Sequence, residues 1–357
     1  MKVRAVRLHC GGGFRKLRHF GERDSTASHP KPEVGIYSSP PKSLLFQSSK
    51  LGYNDFGVQI IWEVQDLTQK DRLLSETPSP VKKPKYDIIG YWSEIKLDII
   101  RRYATEYSKI ITPNKHIRKH IYIDAFAGAG QHVSRRTGDF VPGSPLNALL
   151  VNPQFSEVHL IDLDGTKADS LRAAVGPRDD VFIYRGDANH VLLTQVFPRC
   201  RYEDFHRALC LLDPYALSVD WNVIETAGKM RSIEIFYNFM IMDANMNILW
   251  RNPERVAADQ LTRMDRVWGD RSWREAAYRR EPGLFGEIEE KASNEAVAEA
   301  FKKRLKRVAG FKYVPKPVPM RNERGAIVYY LFFASPNETG GHIVEYIFEK
   351  YRKRGSF

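Results

Sequence analysis

Cysteine is scarce in this sequence. The 357 residues include only Cys10, Cys200 and Cys210, and no two of them stand at a spacing used by metal ligands. Small secreted domains that depend on disulfides contain far more cysteine, so that class is excluded. The sequence also has no cluster of histidine, cysteine and carboxylate residues that suggests a metal site. This composition predicts a protein of the reducing cytoplasm.

Long apolar runs are missing as well. No stretch approaches the roughly 18 uninterrupted apolar residues of a membrane span, and MKVRAVRLHCGGG lacks the apolar core of a signal peptide. We therefore expect no membrane association. Positive charge, in contrast, is abundant: 55 Lys and Arg against 43 Asp and Glu give a formal net charge of +12. This excess favours a polyanionic partner such as nucleic acid.

The first 84 residues differ in composition from the rest. They are rich in Pro, Ser, Gly and charge, around one short apolar patch, VQIIWEV at 58–64. We interpret residues 1–84 as a poorly ordered arm, which is a linker, an upstream extension from an over-long reading frame, or a functional arm. Residues 85–357 are predicted to form the folded domain.

Helical periodicity begins where the arm ends. In YDIIGYWSEIKLDIIRRYATEYSKII, which starts at Tyr86, apolar residues recur near helical spacing. The pattern predicts a helix of about six turns that leads into the core. Its apolar face consists of Ile88, Trp92, Ile95, Ile99, Tyr103 and Ile110.

Five short apolar runs then alternate with helical stretches, which is typical of a parallel sheet wrapped by helices. A later stretch, 311–335, reads as two strands joined by a turn that contains Asn322 and Gly325, so it predicts a hairpin. This order predicts an α/β fold, a Rossmann-like class I methyltransferase sheet with five parallel strands and a C-terminal antiparallel hairpin. The five runs are HIYIDAF at 120–126, EVHLIDLD at 157–164, DVFIYRGDA at 180–188, ALCLLDPY at 208–215 and SIEIFYNF at 232–239.

A glycine turn follows the first of these strands. IYIDAFAGAG at 121–130 places Gly128 and Gly130 where the backbone can approach a ligand, because no side chain blocks it. Asp124, ahead of them, can accept hydrogen bonds or orient the loop. The dinucleotide fingerprint G-x-G-x-x-G is incomplete, since QHV follows. We predict that Asp124, Phe126, Gly128 and Gly130 contact S-adenosylmethionine; a tight turn without a ligand is the alternative.

Carboxylates stand at the ends of the next two strands. Asp162 and Asp164 suit the hydroxyls of a ribose, because two acceptor oxygens match a vicinal diol. We rank Asp162 first, since Asp164 can instead cap a helix that starts near Thr166. In the GDA that follows the third strand, Asp187 precedes Ala188, and both are predicted to contact the cofactor. Asp187 either accepts from an adenine amine or caps a helix, and the two roles are compatible.

The fourth strand ends in LLDPY. Amino methyltransferases use Asp or Asn, two prolines and an aromatic residue to hold a target amine and to stack on its planar group, and a base must be unstacked to reach such a pocket. Asp213, Pro214 and Tyr215 reproduce this motif with a single proline. We predict that Asp213 positions the acceptor and Tyr215 stacks on it. The alternative is a strand-ending turn in which Tyr215 packs on the sheet.

An inserted loop, QHVSRRTGDFVPG, separates the glycine turn from the next helix. Ser144 and Pro145 suit the N-cap and the first position of that helix. Arg135 and Arg136 can meet a phosphate, His132 can take part in proton transfer, or the loop can act as a lid. Solvated surface side chains are the alternative.

A basic helix is predicted at 295–310, EAVAEAFKKRLKRVAG. It belongs to a helical insertion around 245–308, which includes an Arg-rich stretch with three tryptophans. Its cationic face is either solvated or a docking surface for nucleic acid or protein. The apolar face consists of Val297, Phe301, Leu305 and Val308.

Several motifs in this order resemble the three-Cys-motif partner proteins, a family of methyltransferase-like fold. They are YWSEIKLDII, YIDAFAGAG, GSPLNAL, IDLD, LLDPY, the NF at 238–239 and the closing YYLFFAS. The resemblance covers residues 86 to about 353 and implies S-adenosylmethionine as cofactor and a three-cysteine-motif protein as partner. Ala216 and Met240 depart from the Gly and Pro that members often carry there, beside the expected target pocket.

Two functions are consistent with these patterns. The first is a methyltransferase that acts on an amine, with a nucleic-acid base as one candidate acceptor. A sulfonium methyl is already activated, so alignment supplies most of the catalysis. The second is a cofactor-binding or degenerate partner protein without transfer activity. A nuclease is disfavoured, because the sequence has no metal-binding carboxylate motif.

Overall fold

The computed structural model describes residues 86–283 and 286–354. The arm predicted for residues 1–84, with its apolar patch at 58–64, lies outside the described residues. Within them, no helix combines the length and the apolar character needed to cross a membrane.

The described residues form twelve strands and ten α-helices. The strands are β1 (Asp87–Ile89), β2 (Lys119–Asp124), β3 (Gln131–Ser134), β4 (Phe140–Pro142), β5 (Glu157–Asp162), β6 (Val181–Arg185), β7 (His206–Leu212), β8 (Ile233–Phe239), β9 (Tyr278–Gly283), β10 (Gly286–Lys291), β11 (Val318–Arg321) and β12 (Ile327–Ala334). The helices are α1 (Tyr91–Ile111), α2 (Ser144–Leu149), α3 (Gly165–Val175), α4 (Ala188–Val191), α5 (Trp221–Met230), α6 (Ile241–Asn247), α7 (Ala258–Trp268), α8 (Trp273–Ala277), α9 (Asn294–Arg307) and α10 (Glu338–Arg354).

The central sheet has seven strands in the order β6-β5-β2-β7-β8-β12-β11. The first five are parallel to one another, β12 is antiparallel to β8, and β11 is antiparallel to β12. The five predicted parallel strands and the predicted hairpin are confirmed. Because β2, the first of these seven strands along the chain, lies between β5 and β7, the loops after these strands meet at one edge of the sheet.

Side chains alternate between two cores on opposite faces of the sheet. On β8, Ile235 and Tyr237 belong to one core and Phe236 to the other. Every residue of β8 is buried, as expected for a strand with helices on both faces. Helices α1 and α10 complete the core around Phe236, whereas α5 and α9 complete the opposite one.

Two predicted helix starts are wrong in position. The first helix has the predicted length, but it begins at Tyr91 because Gly90 is extended, with ψ 176°. Ile88 therefore lies in strand β1, which pairs with β3 of the inserted loop. The next helix has Gly143 at its N-cap rather than Ser144, which is the first helical residue.

The two insertions contain strands that periodicity did not predict. Strands β3 and β4 form a hairpin from the inserted loop, and with β1 they make a three-stranded sheet. Strands β9 and β10 form a second hairpin within the insertion that was predicted as helical. Helix α9 is confirmed, with Val297, Phe301 and Leu305 buried, but Val308 is exposed because the helix ends at Arg307.

A buried acid on β8 makes the stability of the fold dependent on pH. Glu234 accepts hydrogen bonds from the hydroxyls of Tyr103 at 2.5 Å and Ser335 at 2.8 Å. Burial raises the pKa of Glu234 from its ordinary 4.5 to about 7. Between these values the folded chain holds a proton that the unfolded chain has lost. The free energy of unfolding therefore falls as pH rises from about 4.5 to about 7.

Replacing Glu234 with Gln removes this ionisation, so the variant is expected to lose less stability over that interval. Relative to wild type, the unfolding free energy of the variant is expected to increase by about 3 kcal/mol between pH 4 and pH 8. Urea unfolding across this pH range measures it, with the exposed Glu203→Gln as control. Parallel profiles for Glu234→Gln and wild type would contradict the assignment.

Candidate functional site

A cavity of about 450 Å³ lies beside the carboxyl ends of β2, β7 and β8. Its walls come from the glycine loop after β2, the LLDPY turn after β7, the end of β8, β1, the start of α1 and the inserted hairpin. Parallel strand ends are where ligands gather in open α/β sheets. The polar side chains of its lining include those of Lys96, His132, Asp213, Tyr215, Asn238 and Tyr329.

The glycine loop turns sharply beside this cavity. Gly128 and Gly130 have φ of 64° and 82°, a region that side chains disfavour. A Cβ on Gly130 would lie 2.8 Å from Leu171, so glycine is required there by packing as well. A Cβ on Gly128 would meet no atom within 4 Å, and Gly128 lines the cavity together with Phe126. The loop thus leaves open space against its backbone at Gly128.

Asp124, at the end of β2, is fully buried. Its Oδ1 accepts a hydrogen bond from the backbone N–H of Phe126 at 3.2 Å, whereas Oδ2 has no hydrogen-bond partner among the described residues. Burial raises the pKa of Asp124 to about 7. The hydroxyl of Ser144 acts against this rise in pKa, and Asp124 is not among the residues that line the cavity, so its contact with a cofactor stays a prediction.

Asp213 forms the polar centre of the cavity. One carboxylate oxygen accepts from the ammonium of Lys96 on α1, and the other accepts from the side-chain amide of Asn238 on β8. Burial acts to lower the pKa of Lys96, but the charge of Asp213 outweighs it and the pKa is raised. Lys96 is therefore a cation at neutral pH. The pair is mostly enclosed, with 11% of the Lys96 side chain and 23% of the Asp213 side chain exposed.

Three further polar atoms of the lining are buried without a partner among the described residues. They are Nδ1 of His132, Oδ1 of Asn238 and the hydroxyl of Tyr329. The amide nitrogen of Asn238 must face Asp213, since a carboxylate only accepts, and this leaves Oδ1 as a free acceptor. Burial lowers the pKa of His132, so its ring is neutral, and burial raises the pKa of Tyr329 to about 12. Unsatisfied groups converging on one cavity indicate a binding site.

Tyr215 stands at the mouth of the cavity, with 73% of its surface exposed. Its hydroxyl donates to Asp87 on β1 at 2.8 Å, and the ammonium of Lys167 lies 2.9 Å from the same carboxylate. Burial acts to raise the pKa of Asp87, but the hydrogen bonds from Lys167 and Tyr215 outweigh it and lower the pKa. The alternative in which Tyr215 packs on the sheet is wrong. Pro214, next to it, is buried and lines the cavity.

Asp162 is bound to two loops. Its Oδ2 accepts from the N–H of Gly128 and its Oδ1 from the N–H of Asp164, both at 2.8 Å. Each carboxylate oxygen keeps one acceptor position, because it has two lone pairs. Asp162 thus links the end of β5 directly to the glycine loop. Its contact with a ribose stays a prediction.

Asp164 and Asp187 are helix caps. Asp164 accepts from the N–H of Thr166 at 2.8 Å at the start of α3, as the capping alternative predicted. Asp187 accepts from the N–H of His190 at 3.0 Å at the start of α4, and Ala188 is buried as the first residue of that helix. Neither carboxylate is among the residues that line the cavity. Their cofactor contacts remain predictions.

Replacing Asp162 with Ala is expected to weaken cofactor binding by about 2 kcal/mol, the scale of hydrogen bonds to a charged group. Melting temperature should also fall, because Gly128 and Asp164 lose their acceptor. Calorimetric titration with S-adenosylhomocysteine measures the affinity. Asp164→Ala is the comparison variant, since it removes a cap worth about 1 kcal/mol of stability together with the second candidate carboxylate for the ribose. Equal losses of affinity in both variants would remove the ribose role from Asp162.

The sequence analysis did not identify Lys96 and Asn238, the two hydrogen-bond partners of Asp213. A signal for Lys96 was present, because it lies between Ile95 and Leu97 on the buried side of an amphipathic helix, where an unpaired lysine is very rare. The salt bridge between Asp87 and Lys167 had no comparable signal in the sequence, since both residues have the pattern of ordinary surface charges. Among the described residues, no group of three or more potential metal ligands is present.

No family model matches the chain, and no curated protein matches it. Solved structures with related folds include protein LPL1258 from Legionella pneumophila, described as DUF519, at 12% identity and a TM-score of 0.42, covering 71% of this chain and 91% of that one. A putative methyltransferase from Thermobifida fusca has 12% identity and a TM-score of 0.35, covering 68% and 79%. A putative S-adenosylmethionine-dependent methyltransferase from Listeria monocytogenes has 13% identity and a TM-score of 0.33, covering 66% and 99%. The order and direction of the seven strands give the chain a Rossmann-like methyltransferase fold.

Proposed function

We propose that this protein is an S-adenosylmethionine-dependent methyltransferase that acts on an amine. The observation that carries the proposal is the convergence of Asp213, its two partners and several unpartnered polar atoms on one cavity beside the glycine loop. A fold can host many functions, so these side chains, rather than the sheet, support the proposal.

The glycine loop fits the cofactor. The open backbone at Gly128, which lines the cavity, gives a ligand close access, and Asp124 ends the strand that leads into this loop. Asp162, Asp164, Asp187 and Ala188 follow the next two strand ends, where the ribose and adenine are expected. When bound, the cofactor supplies an electrophilic methyl group.

Asp213 and Asn238 suit an acceptor with two N–H groups. The carboxylate of Asp213 retains lone pairs beyond those used by its two partners, and Oδ1 of Asn238 is free. Two acceptors side by side would bind both N–H groups of a primary amine and aim its lone pair. Lys96 acts as a positioning residue, because its buried ammonium donates to the carboxylate of Asp213 and fixes the position of that side chain.

Tyr215 would hold a planar acceptor at the mouth. Its ring is exposed, while Asp87 fixes the hydroxyl and the ammonium of Lys167 lies 5.3 Å from the ring centroid. A ring anchored in this way loses little entropy when a base stacks on it. Unlike a freely rotating surface tyrosine, it has one set orientation at the cavity.

His132 is the group best suited to take up the proton that the amine loses after transfer. Its ring is neutral, its Nδ1 has no partner among the described residues, and it lines the cavity. A neutral imidazole can accept a proton, but burial and the charge of Lys96 lower the pKa of His132 and make it a weaker base than a free imidazole. Proton loss from the methylated amine is easy, so this role affects rate less than alignment does.

Calorimetric titration with S-adenosylmethionine and S-adenosylhomocysteine tests the cofactor, and transfer of labelled methyl groups to amine-bearing acceptors tests the reaction. We expect saturable binding and label in the acceptor. Binding without transfer to any acceptor would support the partner-protein function instead. The resemblance alone supports a three-cysteine-motif partner, and the scarcity of cysteine supports a cytoplasmic location; we retain both as proposals.

A further inference from the structure

A groove of about 760 Å³ opens beside the cavity, between the start of α1 and the turn of the β11–β12 hairpin. The groove and the cavity share Gly90, Ser93, Arg135 and Tyr329 in their walls. The two spaces are therefore adjacent, and a chain that enters the cavity can continue along the groove.

The groove is basic. Its lining contains Arg135, Arg321 and Arg324 but only one acidic residue, Glu323. Arg135 and Arg324 are exposed. Arginine presents several N–H donors in a planar fork that matches phosphate oxygens. The balance of charge favours an anionic occupant.

Aromatic rings lie among these cations. Tyr91 is 48% exposed, and its ring contacts that of Trp92 edge to face with centroids 5.8 Å apart. Both residues line the groove. Arginines interleaved with aromatic rings are the arrangement that binds single-stranded nucleic acid, because phosphates meet the cations while bases stack.

An ion pair crosses the boundary between the groove and the cavity. Nη1 of Arg135 lies 3.0 Å from Oε1 of Glu323, and both side chains are more than half exposed. Such a pair contributes little to stability. A phosphate can therefore displace Glu323 from Arg135 at low cost, and Glu323 repels an approaching polyanion until then.

We propose that the groove binds the strand of a single-stranded nucleic acid whose base is the methyl acceptor. This inference rests on the proposed function for the identity of the acceptor, but binding in the groove is measurable without transfer. A free small amine would need only the cavity. A continuous basic groove with exposed aromatic rings fits an acceptor carried on a phosphate backbone.

Fluorescence anisotropy of the full chain with labelled RNA and DNA oligonucleotides tests the proposal. A length of about 12 nucleotides is within the range of single-strand binding sites. Arg135→Gln and Arg324→Gln are each expected to weaken binding several-fold and to reduce the slope of log affinity against log salt by about 0.7. Tyr91→Ala is expected to weaken it about tenfold.

Glu323→Gln is the discriminating variant. It removes the carboxylate that competes for Arg135, so it is expected to bind the oligonucleotide more tightly than the wild type does. Arg201→Gln, an exposed arginine that precedes β7 and lines neither the groove nor the cavity, is the matched control for loss of one positive charge. Equal weakening by Arg201→Gln would mean that bulk charge, not the groove, binds the strand, and would overturn the proposal. No change on Glu323→Gln, or tighter binding to duplex than to single strands, would do the same.

The two proposals fail separately. If oligonucleotides do not bind but cofactor binds and another amine is methylated, the groove proposal is wrong and the transferase stands. If oligonucleotides bind with the expected variant effects but the cofactor does not, the groove stands and the transferase is wrong.

Discussion

Asp213→Asn is expected to reduce methyl transfer by about 10²- to 10³-fold, the scale seen when one electrostatic contact to a transition state is removed. The amide keeps the shape of the side chain but removes the negative charge that stabilises an amine as it becomes cationic. Cofactor affinity should stay within a few-fold, since Asp213 does not hold the cofactor in this scheme. Single-turnover transfer of labelled methyl and calorimetry measure the two quantities.

Transfer by Asp213→Asn at the wild-type rate would remove Asp213 from the reaction. A parallel loss of cofactor affinity would give it a cofactor-binding role instead. Thr137→Ala, a substitution at an exposed position of the inserted loop, is the control for nonspecific effects of mutation and purification. The acceptor in this assay is whichever amine the wild type methylates best.

Lys96→Met is expected to destabilise the fold by about 3 kcal/mol at neutral pH, since it leaves a mostly enclosed carboxylate without its cation. Urea unfolding at pH 7 measures the size of the loss.

The double variant Lys96→Met with Asp213→Asn should recover much of this loss, because it removes both charges together. Lys109→Met removes a lysine from an exposed pair with Glu106 and is the matched control, expected to cost less than about 1 kcal/mol. Additive losses in the double variant would mean that the two groups do not stabilise one another.

The sheet was predictable from the sequence because its strands are buried on both faces. A strand such as β8 then appears as a continuous apolar run, IEIFYNF, which is easily located between helical stretches. Asp124, Asp162 and Asp213 were predictable for a related reason, since each is the polar residue that ends or follows such a run. The position of a residue at a strand end predicts where its side chain lies, even when the contacts of that side chain are unknown.

The partners themselves were not predictable from local pattern. Lys96 meets Asp213 across 117 positions, and Tyr215 meets Asp87 across 128. Strand β1 has only three residues and exists because β3 pairs with it, so no periodicity in its own sequence reveals it. Contacts set by the tertiary fold override local propensity at these places.

The residues of the cavity wall are spread along the chain, and this affects when the cavity can form during protein synthesis. Lys96 emerges from the ribosome before its counter-charge Asp213, and Asn238 and Tyr329 follow only after that. Strands β2, β5 and β6 can pair while the wall is still incomplete. Until β7 and β8 are made, Lys96 must keep its ammonium in water, so α1 cannot dock fully on the sheet. Assembly of the cavity is therefore a late event, and a nascent chain that stops before β12 lacks a complete site.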